Sequence, residues 1–248
     1  MNAVATVPST HRVEHVMGMP IIVEVRDASA HPALLDDVFD WFRDVDATFS
    51  TYREDSEINR IDRGELAAAQ ASPDVREVLD RCDELRLETR GYFDVRAAGR
   101  LDPSGLVKGW SVDRAAAFLE TAGVDSFLIS AGGDIVARGG PWRIGIQHPR
   151  ERQHVAAVLE AYDLAIATSG GYVRGDHVIN PYTGKAPGGV LSVTVIGPDL
   201  GTADAYATAA FAMGDEAAAE WLVRLRRYEA MIVLEHDVVL TTPGFPAE

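Results

Sequence analysis

Disulfides, membrane spans and concentrated positive charge are all missing from this sequence. The single cysteine, Cys82, allows no intrachain disulfide and no cysteine-based zinc cluster. No stretch approaches the roughly 18 apolar residues of a membrane-spanning helix. The opening MNAVATVPSTHRVEHVMGMP has no basic segment leading into an apolar one. A cytoplasmic protein with neither signal peptide nor membrane span is therefore expected. Basic residues are scarce: 23 Lys and Arg stand against 38 Asp and Glu, for a formal net charge of -15 with His neutral. Such a surface repels a phosphate backbone, so no nucleic-acid partner is expected. No basic run suits anionic lipid either. An acidic chain that binds an anionic ligand has to supply positive charge locally.

Several familiar signatures are absent too. There is no G-x-G-x-x-G, no G-x-x-x-x-G-K-[ST], no H-E-x-x-H and no G-x-S-x-G. Any nucleotide site must be built in another way. His148 and His154 bracket a polar loop at a spacing that suits no metal and read as solvated residues. Nothing reports an oligomeric state.

What remains is a globular composition, 47% hydrophobic and 25% charged, long enough to bury a core without staples. Residues 1–248 read as one domain, with no low-complexity tract or long linker. Thr10 to Arg26 is Val- and Ile-rich and reads as a strand or hairpin. From His31 to Phe49, apolar residues recur at helical spacing, and Asp55 and Ser56 can cap a short helix through Ile61. A helix follows Ser72, with Cys82 on its apolar stripe as a packing residue. A third runs from Ser111 to Thr121.

After Asp125 the pattern changes. Ser126–Ser130, Trp142–Gln147, Val155–Thr168 and Leu191–Ile196 read as strands, Thr202–Met213 and Asp215–Arg227 as helices. Ala230–Leu234 and Val238–Thr242 form a terminal hairpin around His236-Asp237. Helices and hairpin-linked strands segregate, which predicts an α+β fold with a largely antiparallel sheet core flanked by helices.

Four segments carry unusual chemistry. In Thr48 to Asn59, a Ser/Thr-rich turn places Tyr52 where it can stack on an aromatic ligand, or simply marks a helix exit. In Leu101 to Asp113, a Gly-bearing turn enters a helix with Lys108 beside it. Helix N-terminal N–H groups favour anions, so this is the local positive source, or else an ordinary turn with a surface lysine. Ala167 to Tyr172 and His177 to Gly184 combine glycines, hydroxyls and one histidine. In Thr202 to Ala210, Asp204 and Thr208 share a helix face at i and i+4. A carboxylate and a hydroxyl suit Mg²⁺, although a capping aspartate and a self-bonded threonine would look the same.

Taken together, these segments resemble the ApbE-like flavin transferases, the FAD:protein FMN transferase family. Met17-Gly18, Phe49-Ser-Thr-Tyr52, Ser56-Glu-Ile58, Gly91-Tyr-Phe-Asp94, Asp102 through Lys108-Gly109 with Val112-Asp113, Ser130-Ala-Gly-Gly-Asp134, Thr168-Ser-Gly170, His177 through Gly184, and Ala203-Asp204 with Thr208 follow the family's order. The resemblance implies a Mg²⁺-dependent enzyme that cleaves the FAD pyrophosphate, releases AMP and places FMN on a Thr or Ser of a client flavoprotein. It implies metal ligation by Asp204, Thr208 and a main-chain carbonyl near Gly105. It implies FAD contacts at Met17, Tyr52, Tyr92, Phe93, Asp94, Asp102, Lys108, His177 and Val178. His177 is the candidate base or proton shuttle, since an unperturbed imidazole titrates near neutrality. Asp102 is the runner-up, and Lys108 would neutralise phosphate charge.

Three departures stand out. Met19 replaces the family's Thr, Asn180 replaces an Asp before Pro181, and the stretch after Asp94 is short and lacks the usual Pro-Thr-Val. Two other readings share these residues: an FAD pyrophosphatase with water as acceptor, and a catalytically weak FAD-binding protein.

Overall fold

The computed structural model describes residues 9–27, 32–151, 153–171 and 178–246. The first two strands, Thr10–Val16 (β1) and Met19–Val25 (β2), pair antiparallel, with Val16 opposite Met19. Their turn is Met17-Gly18, with φ of 56° and 72°. A two-residue hairpin turn needs positive φ at both positions to match the strand twist. Glycine adopts that freely, whereas Met17 is held in a region that side chains disfavour.

Helices Pro32–Phe49 (α1), Glu57–Asp62 (α2), Pro73–Glu88 (α3) and Ser104–Thr121 (α4) follow. Ser56 caps α2 by accepting the Asn59 N–H at 3.2 Å. Next come Phe127–Ala131 (β3), Asp134–Arg138 (β4), Trp142–Gln147 (β5), Val155–Ala161 (β6), Leu164–Gly170 (β7) and Val190–Gly197 (β8). Leu200–Met213 (α5), Asp215–Leu222 (α6), Glu229–Leu234 (β9) and Val239–Thr241 (β10) complete the order.

Eight strands form one sheet in the order β1-β2-β3-β4-β7-β8-β9-β10, and every recorded pairing is antiparallel. Helices cover one face. The β5–β6 hairpin, a separate two-stranded sheet, covers part of the other. Side-chain alternation divides each central strand between the two cores. In β7, Ala165 and Ala167 pack toward the helices while Ile166 meets the hairpin layer; in β9, Ala230 and Ile232 oppose Met231 and Val233. Burial on both faces explains why these strands read as nearly continuous apolar runs.

Helix α5 is the centre of the helical layer. Every residue in it except Thr208 is buried. A helix apolar all round belongs inside a protein. Its start is crowded against α4: a Cβ added at Gly109 would lie 2.5 Å from the Leu200 carbonyl oxygen. Asp199 caps α5 by accepting the Thr202 N–H at 2.9 Å. Asp113 of α4 accepts the Leu200 and Gly201 N–H groups at 2.8 and 2.7 Å. Two carboxylates thus satisfy the donors of one helix terminus.

The α+β class and antiparallel sheet match the sequence expectation, and the boundaries differ in places. Val155–Thr168 is two strands, not one, because Tyr162-Asp163 turns the chain between β6 and β7. The helix expected from Asp215 to Arg227 stops at Leu222. The helix expected from Ser111 begins earlier, at Ser104, and so contains Lys108. Gly105 and Gly109 argue against a helix locally. Packing overrides them, since both glycines sit where neighbours leave little room for a side chain. Cys82 is buried as expected, and desolvation pushes its thiol up to about 12, which leaves it inert. His154 is exposed and pairs with Glu151 at 2.8 Å, while His148 Nδ1 accepts backbone N–H groups of its own loop.

Candidate active site

A cleft of about 940 Å³ opens where the β1–β2 turn, the loop after α1, the N-terminal half of α4 and the ends of β7 and α5 converge. The volume is at the upper end of the range for small-molecule and cofactor sites. The cleft gathers Met17, Tyr52, Tyr92, Phe93, Asp94, Asp102, Gly105, Lys108, Val178, Asp204 and Thr208. These residues lie up to 191 positions apart in sequence. His177 falls outside the described residues, as does Tyr172; the neighbouring Val178 is buried and lines the cleft.

Each wall has a local cause. The Asn59 side chain donates to the Ser50 and Arg53 carbonyls at 3.3 and 2.8 Å, folding the 50–53 loop back on α2. That loop presents Tyr52 with 91% of its surface exposed. Opposite it, Thr89 accepts the Phe93 N–H at 2.9 Å and fixes the Tyr92–Asp94 turn after α3. Asp94 accepts the Arg96 N–H, and the Asp102 N–H returns to the Val95 carbonyl, both at 2.8 Å. The short stretch after Asp94 is therefore a compact loop that turns Ala97 and Ala98 toward the cleft. Asp102 accepts the Ser104 N–H at 3.1 Å and holds the first turn of α4.

Lys108 does not stand at the helix entry. It lies in the second turn of α4 and reaches inward. Its ammonium pairs with Asp134 and lies 3.4 Å from Asp204 Oδ2. Both aspartates are buried, at 2% and 3% exposure. The expected local positive source is thus a lysine between two carboxylates, with a combined charge of one negative. Asp204 projects from α5 and is not its cap, since Asp199 has that role. Thr208, one turn on, shares a hydrogen bond with Ser169 at 3.1 Å instead of closing on its own helix. Gly105 lies alongside: a Cβ there would be 3.8 Å from Thr208 Cγ2 and 3.2 Å from Phe93.

Three residues in or directly beside this site carry no role in the sequence expectations. Asp134 opens β4 after the Gly132-Gly133 turn, whose φ values are 59° and 103°. Its Oδ1 accepts the Thr168 N–H at 2.9 Å. Ser169 meets Thr208. The Tyr182 hydroxyl donates to the Arg90 carbonyl, and its ring lies edge-on to Tyr92 at 5.0 Å. All three lie inside segments that resemble the family, and for Asp134 the acid directly after Gly-Gly is the available signal. Asn180 uses its side-chain oxygen locally, accepting the Tyr182 N–H at 2.9 Å and the Thr183 N–H at 3.3 Å. That turn needs an acceptor oxygen, which Asn supplies as well as Asp.

Known proteins resemble this chain in sequence and in fold. A FAD:protein FMN transferase of Vibrio cholerae is 38% identical over 131 residues, covering 47% of this chain and 39% of the relative. One from Treponema pallidum is 30% identical over 210 residues, covering 71% of this chain and 58% of the relative. The matched stretch thus spans less than two thirds of either relative. Among solved structures, the flavin transferase ApbE from Vibrio cholerae superposes with a TM-score of 0.85 at 24% identity, over 96% of this chain and 98% of that one. An ApbE protein from Thermotoga maritima gives 0.86 at 21% identity, over the same shares. Both share the fold. The sequence model of the ApbE family matches residues 17–99 and 96–232, so the chain is a member of the ApbE family.

Proposed function

We propose that this protein is a Mg²⁺-dependent FAD:protein FMN transferase acting on a Thr or Ser of a client flavoprotein. The supporting observation is the convergence of Tyr52, Tyr92–Asp94, Asp102, Lys108, Asp204 and Thr208 on one cleft. Relatives that match 47% and 71% of this chain are named for that activity. In the reaction, the client hydroxyl oxygen forms a bond to the FMN-side phosphorus, the bridging P–O bond breaks with AMP as leaving group, and the hydroxyl proton passes to a base.

The donors fit a hard divalent cation. Asp204 and Thr208 present a carboxylate and a hydroxyl from one helix face, with the Gly105 backbone beside them, so all the protein ligands are oxygens. When bound, Mg²⁺ supplies charge neutralisation on the pyrophosphate. Lys108 adds a second cation, close enough to share the same phosphate region. Tyr52 offers an exposed ring for the flavin or adenine plane. His177, from its place in the motif, is the proposed base. Phe93, Val107 and Val178, all buried, give the cleft apolar walls.

One incubation tests the reading. The purified protein is mixed with FAD and Mg²⁺, with and without a Thr-bearing candidate client, and AMP and client mass are followed. AMP release with a client mass gain of one FMN is expected. AMP with free FMN would mean hydrolysis, and bound FAD without AMP would leave a binding protein.

A further inference from the structure

Lys108 has two carboxylate neighbours, and they are not equivalent. Asp134 is fixed from behind: its Oδ1 accepts the Thr168 N–H at 2.9 Å, and it follows directly on a hairpin turn locked by two glycines. Its Oδ2 is the closer partner of the Lys108 ammonium. Asp204 Oδ2 lies farther away, at 3.4 Å, on the helix face that also carries Thr208. A buried carboxylate is costly unless a cation accompanies it. Lys108 provides that cation to both aspartates, and both Lys108 and Asp204 line the cleft.

We infer that Asp134 is a positioning residue that keeps Lys108 from competing for Asp204. Anchored on Asp134, the ammonium leaves the Asp204 carboxylate available to a divalent cation and stays aimed at the anionic ligand. Without the Asp134 charge, Lys108 would close onto Asp204 as its only carboxylate partner of the two and would occupy the position a metal ion needs. The inference rests on the metal assignment made above, and it concerns a residue to which that assignment gives no ligand role. Groups behind a metal ligand commonly change metal affinity by about 10- to 100-fold.

The test reads metal binding directly, with Mn²⁺ as a paramagnetic substitute for Mg²⁺ and no FAD present. Free Mn²⁺ is titrated by electron paramagnetic resonance against the full-length protein and three variants, each first shown by circular dichroism to be folded. Asp134→Asn should weaken Mn²⁺ binding by about tenfold. Lys108→Met alone should bind Mn²⁺ at least as tightly as the native protein, because no ammonium remains beside Asp204. The double variant should bind at least as well as the native protein, since an unanchored competitor no longer exists. A merely structural role for Asp134 would leave the double variant as weak as Asp134→Asn, and that result would overturn the inference. So would weaker binding in Lys108→Met, which is informative even if Asp134→Asn fails to fold. If the native protein binds no Mn²⁺, the metal assignment itself fails and the inference goes with it. If the native protein binds but the variants do not follow the predicted order, only the inference fails.

Discussion

Single residues decide the chemistry of the cleft, and most of them act as pairs. Asp204 and Thr208 share a helix face, Thr208 meets Ser169, and Lys108 joins Asp134 to Asp204. Asp204→Ala should lower Mg²⁺-dependent AMP release by at least about 100-fold, the scale for losing one charge-stabilising contact in a transition state. The Mg²⁺ titration of AMP release measures it, and unchanged turnover would show the assignment to be wrong. Much is readable from sequence at the level of such pairs. The i and i+4 spacing alone puts Asp204 and Thr208 on one helix face. Asp134 is visible as an acid after the Gly132-Gly133 turn, but not as a partner of Lys108, because the packing of α4 against β4 that brings the two together has no local sequence signal.

Among the elements, the α4–α5 junction positions the site. Gly109 lets α4 approach the start of α5, where a Cβ would meet the Leu200 carbonyl at 2.5 Å. Gly109→Ala should therefore cost about 1–3 kcal/mol, the usual penalty for overpacking, despite alanine's better helix propensity. Urea unfolding measures this, and a stabilised variant would contradict the close approach. The same junction carries a pH dependence. Burial pushes Asp113 up from 3.8 to about 6, opposed by hydrogen bonds from Leu200 and Gly201. The folded state then binds more protons than the unfolded state between those two values, so this group's contribution lowers stability as pH rises through that window. The effect is on the order of 2 kcal/mol for a partly exposed group. Unfolding of Asp113→Asn should lack this slope when compared with the native protein at pH 4 and pH 6.5. Parallel pH profiles would show that Asp113 titrates normally.

Across the whole molecule, net charge and local charge have the same negative sign. The chain carries -15 overall, and its Lys108–Asp134–Asp204 group carries one negative charge. The proposed divalent cation would invert that group to one positive charge and favour an anionic dinucleotide. FAD should therefore raise the melting temperature by several degrees with Mg²⁺ present and by far less with a chelator, since ligand binding to the native state stabilises it in proportion to log affinity. Thermal scans with and without the metal check this, and an equal shift in both would separate FAD binding from the metal.

Local sequence is enough for the class of fold, the buried faces of α1 and α3, the hairpin ends and the candidate residues on each segment, because side-chain periodicity and turn chemistry act over a few residues. It misjudges where α4 begins, since two glycines in the first turns read as a loop until packing against Phe93 and Leu200 shows why they must be small. It joins β6 to β7, because the Tyr162-Asp163 turn between them contains no Gly or Pro to mark the break. Three-dimensional packing alone reveals that Lys108 is held between two aspartates and that Asn180 serves its own turn. The lysine's place depends on segments far apart in the chain meeting at one point, and no local pattern carries that distance.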